Sequence, residues 1–377
     1  MDIIKIKDTS NKLYYVGGVV RDEILGIKSF DVDMTYEGNA IEFAKNNLIK
    51  PDEQSNVQDT GCISQILQIN EPFGTVRVKI EGREVDIAST RQEVYERKGH
   101  LPKVTKIGCT LKEDVMRRDF TVNTLAKSVS TGEIIDYTGG LEDIKTKTLR
   151  VLHDRSFIDD PTRILRALKF SIRFGFELDE HTKKLQDEYL QNINYDMCYK
   201  RIKKELIETF NLNSQKAFEK FINEGICKLI TTTPAQLPNV NIEELVNKYK
   251  IEHPWIIYAG VLKDLSSLPL TKTEQKILDD FNAAGNPKTD FELYKAFEKV
   301  SIKTVILYAV LKDYEKAIHY LDNLRGIKIS INGKDLQAIG LPPSAKYAAI
   351  FDKVLEQKLA SPGINKSEEL SIAQKFL

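Results

Sequence analysis

The sequence predicts an α/β unit at the N-terminus followed by an all-α remainder, an α+β chain overall. Three observations carry that expectation. Up to Gly140, short alternating runs are interleaved with helical ones. Beyond Gly140, apolar residues recur at gaps of three and four, as in Ile164, Leu165, Leu168 and Ile172, which is helical spacing. The length of 377 residues exceeds a usual single core, so two or more packed units are expected.

The elements follow in order. Leu13–Val16 reads as a short strand that meets Gly17-Gly18, and Val19–Leu25 reads as a helix. Phe30–Thr35 alternates again. Thr75–Ile80 puts Val76, Val78 and Ile80 on one face and Arg77 and Lys79 on the other. Glu81-Gly82-Arg83 reads as a hairpin turn, and Glu84–Ala88 as the returning strand. Later, Pro234, Pro238, Pro254 and Pro269 punctuate short helices, and 328–341 reads as a loop leading into a helical tail.

Composition narrows the function. The apolar share of 41% suits a packed, soluble chain. Acidic and basic residues balance at 55 each, so net charge gives no argument for nucleic acid, although a neutral total can hide a basic face. Cys62, Cys109, Cys198 and Cys227 form no C-x-x-C pair, and the five histidines show no H-x-x-x-H spacing. A zinc site or a histidine-based hydrolase is therefore not expected. The first residues lack the apolar core of a secretory leader and no run is long enough to span a membrane, so a cytoplasmic setting is expected.

The strongest chemical signal is Asp31-Val32-Asp33. On a strand, residues two apart share a face, about 7 Å from each other along the chain. Like charges side by side repel, and a hard divalent cation such as Mg2+ is the natural counter-ion. Two such ions clamp the attacking and leaving oxygens of a phosphoryl displacement. Upstream, Gly17-Gly18-Val19-Val20-Arg21-Asp22 offers glycines that let backbone approach phosphate, and a forked donor in Arg21. Asp86 is expected on the face opposite Val85 and Ile87, as a third acid.

These residues resemble a known family. Gly17–Asp22 with Asp31-Val32-Asp33 resembles the first motif of the bacterial-type (class II) tRNA nucleotidyltransferase and poly(A) polymerase family, which includes the CCA-adding enzymes. Residues 117–123, Arg-Arg-Asp-Phe-Thr-Val-Asn, resemble its second motif. Residues 159–167, from Asp159-Asp160-Pro161 through Arg163 and Arg166, resemble its base-reading motif. Residues 331–341 resemble its C-terminal segment. The resemblance implies a polymerase β-like head at 1–138, a base-selecting neck at 139–206, an RNA-binding body at 207–325 and a tRNA-binding tail at 326–377. It implies addition or repair of the 3′-terminal CCA of tRNA from CTP and ATP, with two Mg2+ ions at Asp31 and Asp33 and Asp86 assisting. Gly17, Gly18, Arg21, Arg117, Arg118 and Asn123 are then expected at the nucleotide.

The neck motif permits a derivation of base choice. Cytosine and adenine present an amino donor beside a ring-nitrogen acceptor, whereas uracil and guanine present the reverse. An ionised Asp160 only accepts and Arg163 only donates, so the pair matches C and A and leaves U and G unsatisfied. Residues 160 and 163 are expected on one helix face. Arg166 and Lys169 are expected either to serve phosphates or to order that pair. The family usually has Arg where Lys169 stands, and the change removes a bidentate fork.

Residues 91–102 read as a mobile loop, Lys200–Leu206 as a supporting helix whose lysines could track phosphates, and Trp255 as core. Rival readings are a poly(A) polymerase, a CC-only or A-only enzyme, and a catalytically silent RNA-binding protein. Oligomeric state is not legible.

Overall fold

The computed structural model describes residues 6, 10–29, 31–48 and 63–376. Phe30 and Cys62 lie outside them. The chain divides into two compact units, residues 1–205 with 223–229, and residues 206–222 with 230–377.

The first unit opens with β1 (Leu13–Val16), α1 (Gly18–Ile24), β2 (Asp33–Tyr36), α2 (Ala40–Asn46), β3 (Ile63–Asn70), β4 (Thr75–Ile80) and β5 (Arg83–Ser89). It continues with β6 (Arg91–Val94), β7 (Lys103–Ile107), α3 (Leu111–Val115), β8 (Ala126–Ser128), β9 (Ile134–Ile135) and α4 (Gly140–Lys145). Seven strands form one mixed sheet in the order β3-β4-β5-β2-β1-β8-β9. The β2–β5 pair is parallel, and the other pairs are antiparallel.

The alternation expected in β4 and β5 is present. Val76, Val78, Ile80, Val85 and Ile87 are buried beneath α2, whose Ala40, Ile41, Phe43 and Ala44 face them, while Arg77 and Lys79 are exposed on the other side. Glu81 and Gly82 both take positive φ, 49° and 79°, the backbone of a two-residue hairpin turn whose twist matches the strands. That turn fixes the register, so Ile80 faces Arg83 and Arg77 faces Asp86. Asp31 differs from expectation: the strand proper begins at Asp33, although the ladder reaches Val32 through Asp86 N–H to the Val32 carbonyl.

The rest of this unit is mainly helical: α5 (Ser156–Asp159), α6 (Thr162–Phe174), α7 (Glu180–Gln191) and α8 (Tyr199–Phe210), the last continuing into the second unit. Between them Thr148–Leu149 (β10) pairs with Glu177–Leu178 (β11). Asp160 is not on the helix with Arg163. Pro161 cannot continue a helix through its missing N–H, so α5 ends, Asp160 is extended, and its carboxylate accepts from Thr162 N–H at the start of α6. The 91–102 stretch is also not a free loop. β6 pairs with β7, Gly99 N–H donates to the Asp159 carbonyl, and Arg97 and His100 both engage Asp196.

The second unit is helical. Phe210, Phe218, Phe221 and Tyr258 pack ring on ring at its core, and Trp255 is buried, as expected. Its C-terminal part packs three helices, Gly333–Ala338, Lys346–Ala360 and Lys366–Gln374, around Ile331, Leu336, Ile350, Val354 and Ala373. The predicted 328–341 loop therefore contains a helical turn, capped reciprocally by Asn332 and Asp335. No helix of the described residues is long and apolar enough to cross a membrane.

Buried Glu369 organises this region. It accepts from the Ser330 and Ile331 N–H groups at 2.7 and 2.9 Å and pairs with Lys358. Burial opposes its charge, but Lys358 and the two N–H donors prevail and hold its carboxyl below the ordinary glutamate range. A depressed folded pKa contributes stability above the unfolded value and loses it as pH falls through the folded one. Glu369→Gln should therefore cost about 2–3 kcal/mol at neutral pH. Thermal unfolding followed across pH should show the gap to the wild type closing as the pH falls into and below the carboxylate range.

Candidate active site

The site starts from strand register. Asp33 on β2 and Asp86 on β5 are direct partners in the parallel ladder, so both carboxylates leave the same face of the sheet. They open into a cavity of about 400 Å³ that Gln68, Arg77, Arg117 and Arg118 also line. Asp33 is held above the ordinary aspartate range by burial, then by repulsion from Asp86 and Asp31, with Arg118 pulling the other way. Asp31 thus stands close enough to repel Asp33, one residue beyond the ladder. A carboxylate whose ionisation is opposed by two others is relieved by a hard cation, so these residues fit a divalent metal ion. Among the described residues no group of three His, Cys, Asp or Glu side chains is gathered around one point, and Asp86 is held by Arg77.

The arginines come from the end of α3. Buried Asp114 accepts from Arg117 at 2.8 Å and from Arg118 at 3.2 Å, the i+3 and i+4 neighbours. Burial opposes its charge, but the two guanidinium groups outweigh it and keep Asp114 ionised. Arg118 Nε is buried without a hydrogen-bond partner, a donor left for an anion. Gly17 makes room for this arginine. Its φ is +68°, and a Cβ there would sit 3.1 Å from Arg118 Nη1. Gly18 is less constrained, since a Cβ would meet Arg21 at an ordinary 3.5 Å.

Arg21 is placed differently from the expectation of a phosphate donor. It is 4% exposed, bonds Asp22 and Asn123, and lies over the rings of Phe174 and Phe170. Asn123 is equally committed: its amide donates to Asp119 at 2.9 Å. Asp119 takes Arg166 on its other oxygen at 2.6 Å, and Glu205 of α8 takes Lys169 at 2.7 Å and Arg166 at 3.6 Å. Burial opposes ionisation of Asp119, but Arg166, Asn123 and Arg163 together hold its carboxyl well below the aspartate range. Arg166 and Lys169 therefore order Asp119 and Glu205 rather than Asp160 and Arg163. This chain of buried polar groups ties α1 to α6 and α8.

Asp160 and Arg163 are both buried. Asp160 accepts from the Thr162 hydroxyl at 2.6 Å and from Arg201 at 2.5 Å. Arg163 donates to the Ser156 hydroxyl at 2.6 Å and to the Arg117 carbonyl at 3.1 Å. Arg163 lines a second cavity, of about 660 Å³, with Tyr95, His153 and Arg155, and Arg117 borders both cavities. Sequence reasoning missed Arg77, Asp114, Asp119, Arg201 and Glu205. Two of them were signalled: a two-residue turn at Glu81-Gly82 places Arg77 opposite Asp86, and Asp114 stands one helical turn before Arg117 and Arg118.

Comparison with known proteins agrees with this geometry. Residues 13–150 match the poly A polymerase head domain. The chain is 46% identical over 366 residues to the A-adding tRNA nucleotidyltransferase of Aquifex aeolicus, which covers 84% of this chain but only 41% of that protein. The chain thus spans less than half the length of that relative. It is 30% identical over 375 residues to the CCA-adding enzyme of Bacillus pumilus, covering 89% of this chain and 86% of that one. A CCA-adding enzyme solved in complex with ATP superposes with a TM-score of 0.72 at 25% identity, over 95% of this chain and 88% of the other. On the head-domain match and the near full-length 30% identity to a CCA-adding enzyme, the chain belongs to the bacterial-type tRNA nucleotidyltransferase and poly(A) polymerase family, the family of the CCA-adding enzymes.

Proposed function

We propose that this chain adds nucleotides from CTP and ATP to the 3′ acceptor end of tRNA without a template, building or repairing the terminal CCA. One observation carries the proposal. Asp33 and Asp86 stand side by side in a cavity that Arg118 also lines. Cation ligands and a phosphate donor in one small space are what transfer from a nucleoside triphosphate requires.

Nucleotidyltransferases of this family use divalent metal ions. Here Asp31 and Asp33 would hold two Mg2+ ions, which when bound polarise the α-phosphate and neutralise charge on the leaving group. The RNA 3′-hydroxyl attacks the α-phosphorus, its proton leaves towards Asp86, and the bond to the β-phosphate breaks to release pyrophosphate. Arg118 orients the triphosphate, and Arg117, held by Asp114 and Glu93, adds positive charge beside it. Gly17 keeps the backbone clear for Arg118. Arg21 and Asn123 act as supports, bonded to one another and through Asn123 to Asp119. Asp160 and Arg163 would read the base; Arg163 lines the second cavity, with Arg201 bonded to Asp160 and Ser156 to Arg163. Residues 1–138 serve as catalytic head and 139–206 as neck, with 207–325 and 326–377 binding the acceptor arm. The cytoplasm is the expected compartment.

A-only addition is the second reading, favoured by the 46% identity to an A-adding protein. Purified protein offered tRNAs truncated before the first C, the second C and the terminal A separates the readings. Incorporation of C and A in sequence supports full CCA synthesis; A on the third substrate alone supports divided labour. Absence of transfer to every RNA would sink the enzymatic reading altogether.

Asp33→Asn should abolish nucleotide addition and also the rise in melting temperature that Mg2+ gives the wild type. It should leave stability in EDTA equal or higher, because it removes repulsion from Asp86 and Asp31. Retained addition would reject the metal role. Arg163→Ala should raise incorporation of UTP and GTP relative to CTP and ATP by about 10-fold or more, the scale of losing a matched hydrogen bond. Unchanged selectivity in competition assays would remove Arg163 from base reading.

A further inference from the structure

Arg77 lines the catalytic cavity and has no role in the transfer as described. Register across four strands sets Gln68 of β3 opposite Arg77 of β4, Arg77 opposite Asp86 of β5, and Asp86 opposite Asp33 of β2. The four side chains form a transverse row on one face, and all four line the cavity. Arg77 grips Asp86 with a complete fork: Nε donates to Oδ1 and Nη2 to Oδ2, both at 2.8 Å. Each oxygen of the third acid is thereby engaged by a positive group. Among the described residues Glu84 also approaches this guanidinium, at a long 3.9 Å.

This pair is not a structural buttress. Its side chains are 46% and 47% exposed, and water competes for both. Its charge reaches further than its bonds, because Arg77 also offsets Asp33 and is itself drawn by Asp31. A divalent cation approaching these three acids therefore meets Arg77 as a competitor. Once displaced, the same fork suits a phosphate as well as it suits a carboxylate, and phosphate is what the neighbouring Arg118 awaits.

We propose that Arg77 is an internal counter-ion: it neutralises Asp86 before metal binds, releases that carboxylate when divalent cations take over the neutralisation, and then donates to the nucleotide phosphates in the same cavity. The inference rests on the metal and nucleotide reading of the site. Arg77 acts on the chemistry through Asp86 and is a positioning residue until the nucleotide arrives. The exchange opposes binding of metal alone and favours binding of metal with nucleotide, so the two ligands are coupled through one side chain.

The test is a Mn2+ titration, followed by electron paramagnetic resonance of the free ion, on the wild type, Arg77→Ala, Arg77→Lys and Asp33→Asn. Without nucleotide, Arg77→Ala should bind Mn2+ about two- to fivefold more tightly than the wild type, the range expected from removing one exposed charge. Arg77→Lys, which keeps the charge without the fork, should fall between them. The same Arg77→Ala variant should show a raised KM for CTP and ATP. A purely structural role would instead weaken metal binding and lower the melting temperature in EDTA. Unchanged or weaker Mn2+ binding in Arg77→Ala, with Asp33→Asn losing it, overturns the counter-ion role alone. Equal binding by the wild type and Asp33→Asn would instead overturn the metal reading on which it stands.

Discussion

Repulsion between carboxylates held at one place by backbone is the constraint on which the rest of the head depends. Asp33 and Asp86 cannot drift apart, because a parallel ladder of main-chain hydrogen bonds sets β2 beside β5. Side-chain chemistry must then supply positive charge around them. Arg77 does so across the hairpin from β4, and Arg118 does so from the end of α3. The apolar face of the same strands, packed against α2, supplies the stability that lets the opposite face carry this strain.

The arginines near the site separate into two groups by what holds them. Arg117 and Arg118 share one buried acid, Asp114; Arg117 also pairs with Glu93 at 3.2 Å, whereas Arg118 keeps a buried Nε with no partner. Arg21 and Arg166 are absorbed into a buried chain that runs Asp22, Arg21, Asn123, Asp119, Arg166, Glu205 and Lys169. Within that chain each charge has an opposite neighbour, which is the condition for burying it. Its effect is to fix α6, the helix that carries Arg163, relative to α1. Replacement of a motif arginine by lysine at 169 is explained by this placement. Lys169 needs only a point charge for Glu205, so the lost fork costs little.

Much of the head was legible because strand chemistry is local. Alternation in β4 and β5, the positive-φ turn at Glu81-Gly82 and the return of Asp86 to the polar face all follow from neighbouring residues. The register Arg77 to Asp86 also follows from that turn by counting outward, although only the structure made its consequence plain. Asp160 illustrates the opposite case. Three-residue spacing suggested one helix face, but Pro161 ends α5 and leaves Asp160 extended before α6, its carboxylate accepting from Thr162 N–H. The 91–102 stretch carries charges and a glycine, which read as loop. Contacts from Asp159, Asp196 and Cys198 pin it, and none of them is near in sequence.

The sequence by itself determined the α/β head, the helical remainder, the paired acids and the ordered motifs, because period, turn chemistry and residue type are properties of short segments. Tertiary structure decided which charged groups are spent and which are free. Arg21 and Asn123 were indistinguishable from Arg118 as donors on paper, yet burial against Phe174 and Asp119 engages the first two and leaves Arg118 Nε without a partner. Partners distant along the chain settle that difference, since a hydrogen bond to a buried acid takes up donors that a ligand would otherwise meet.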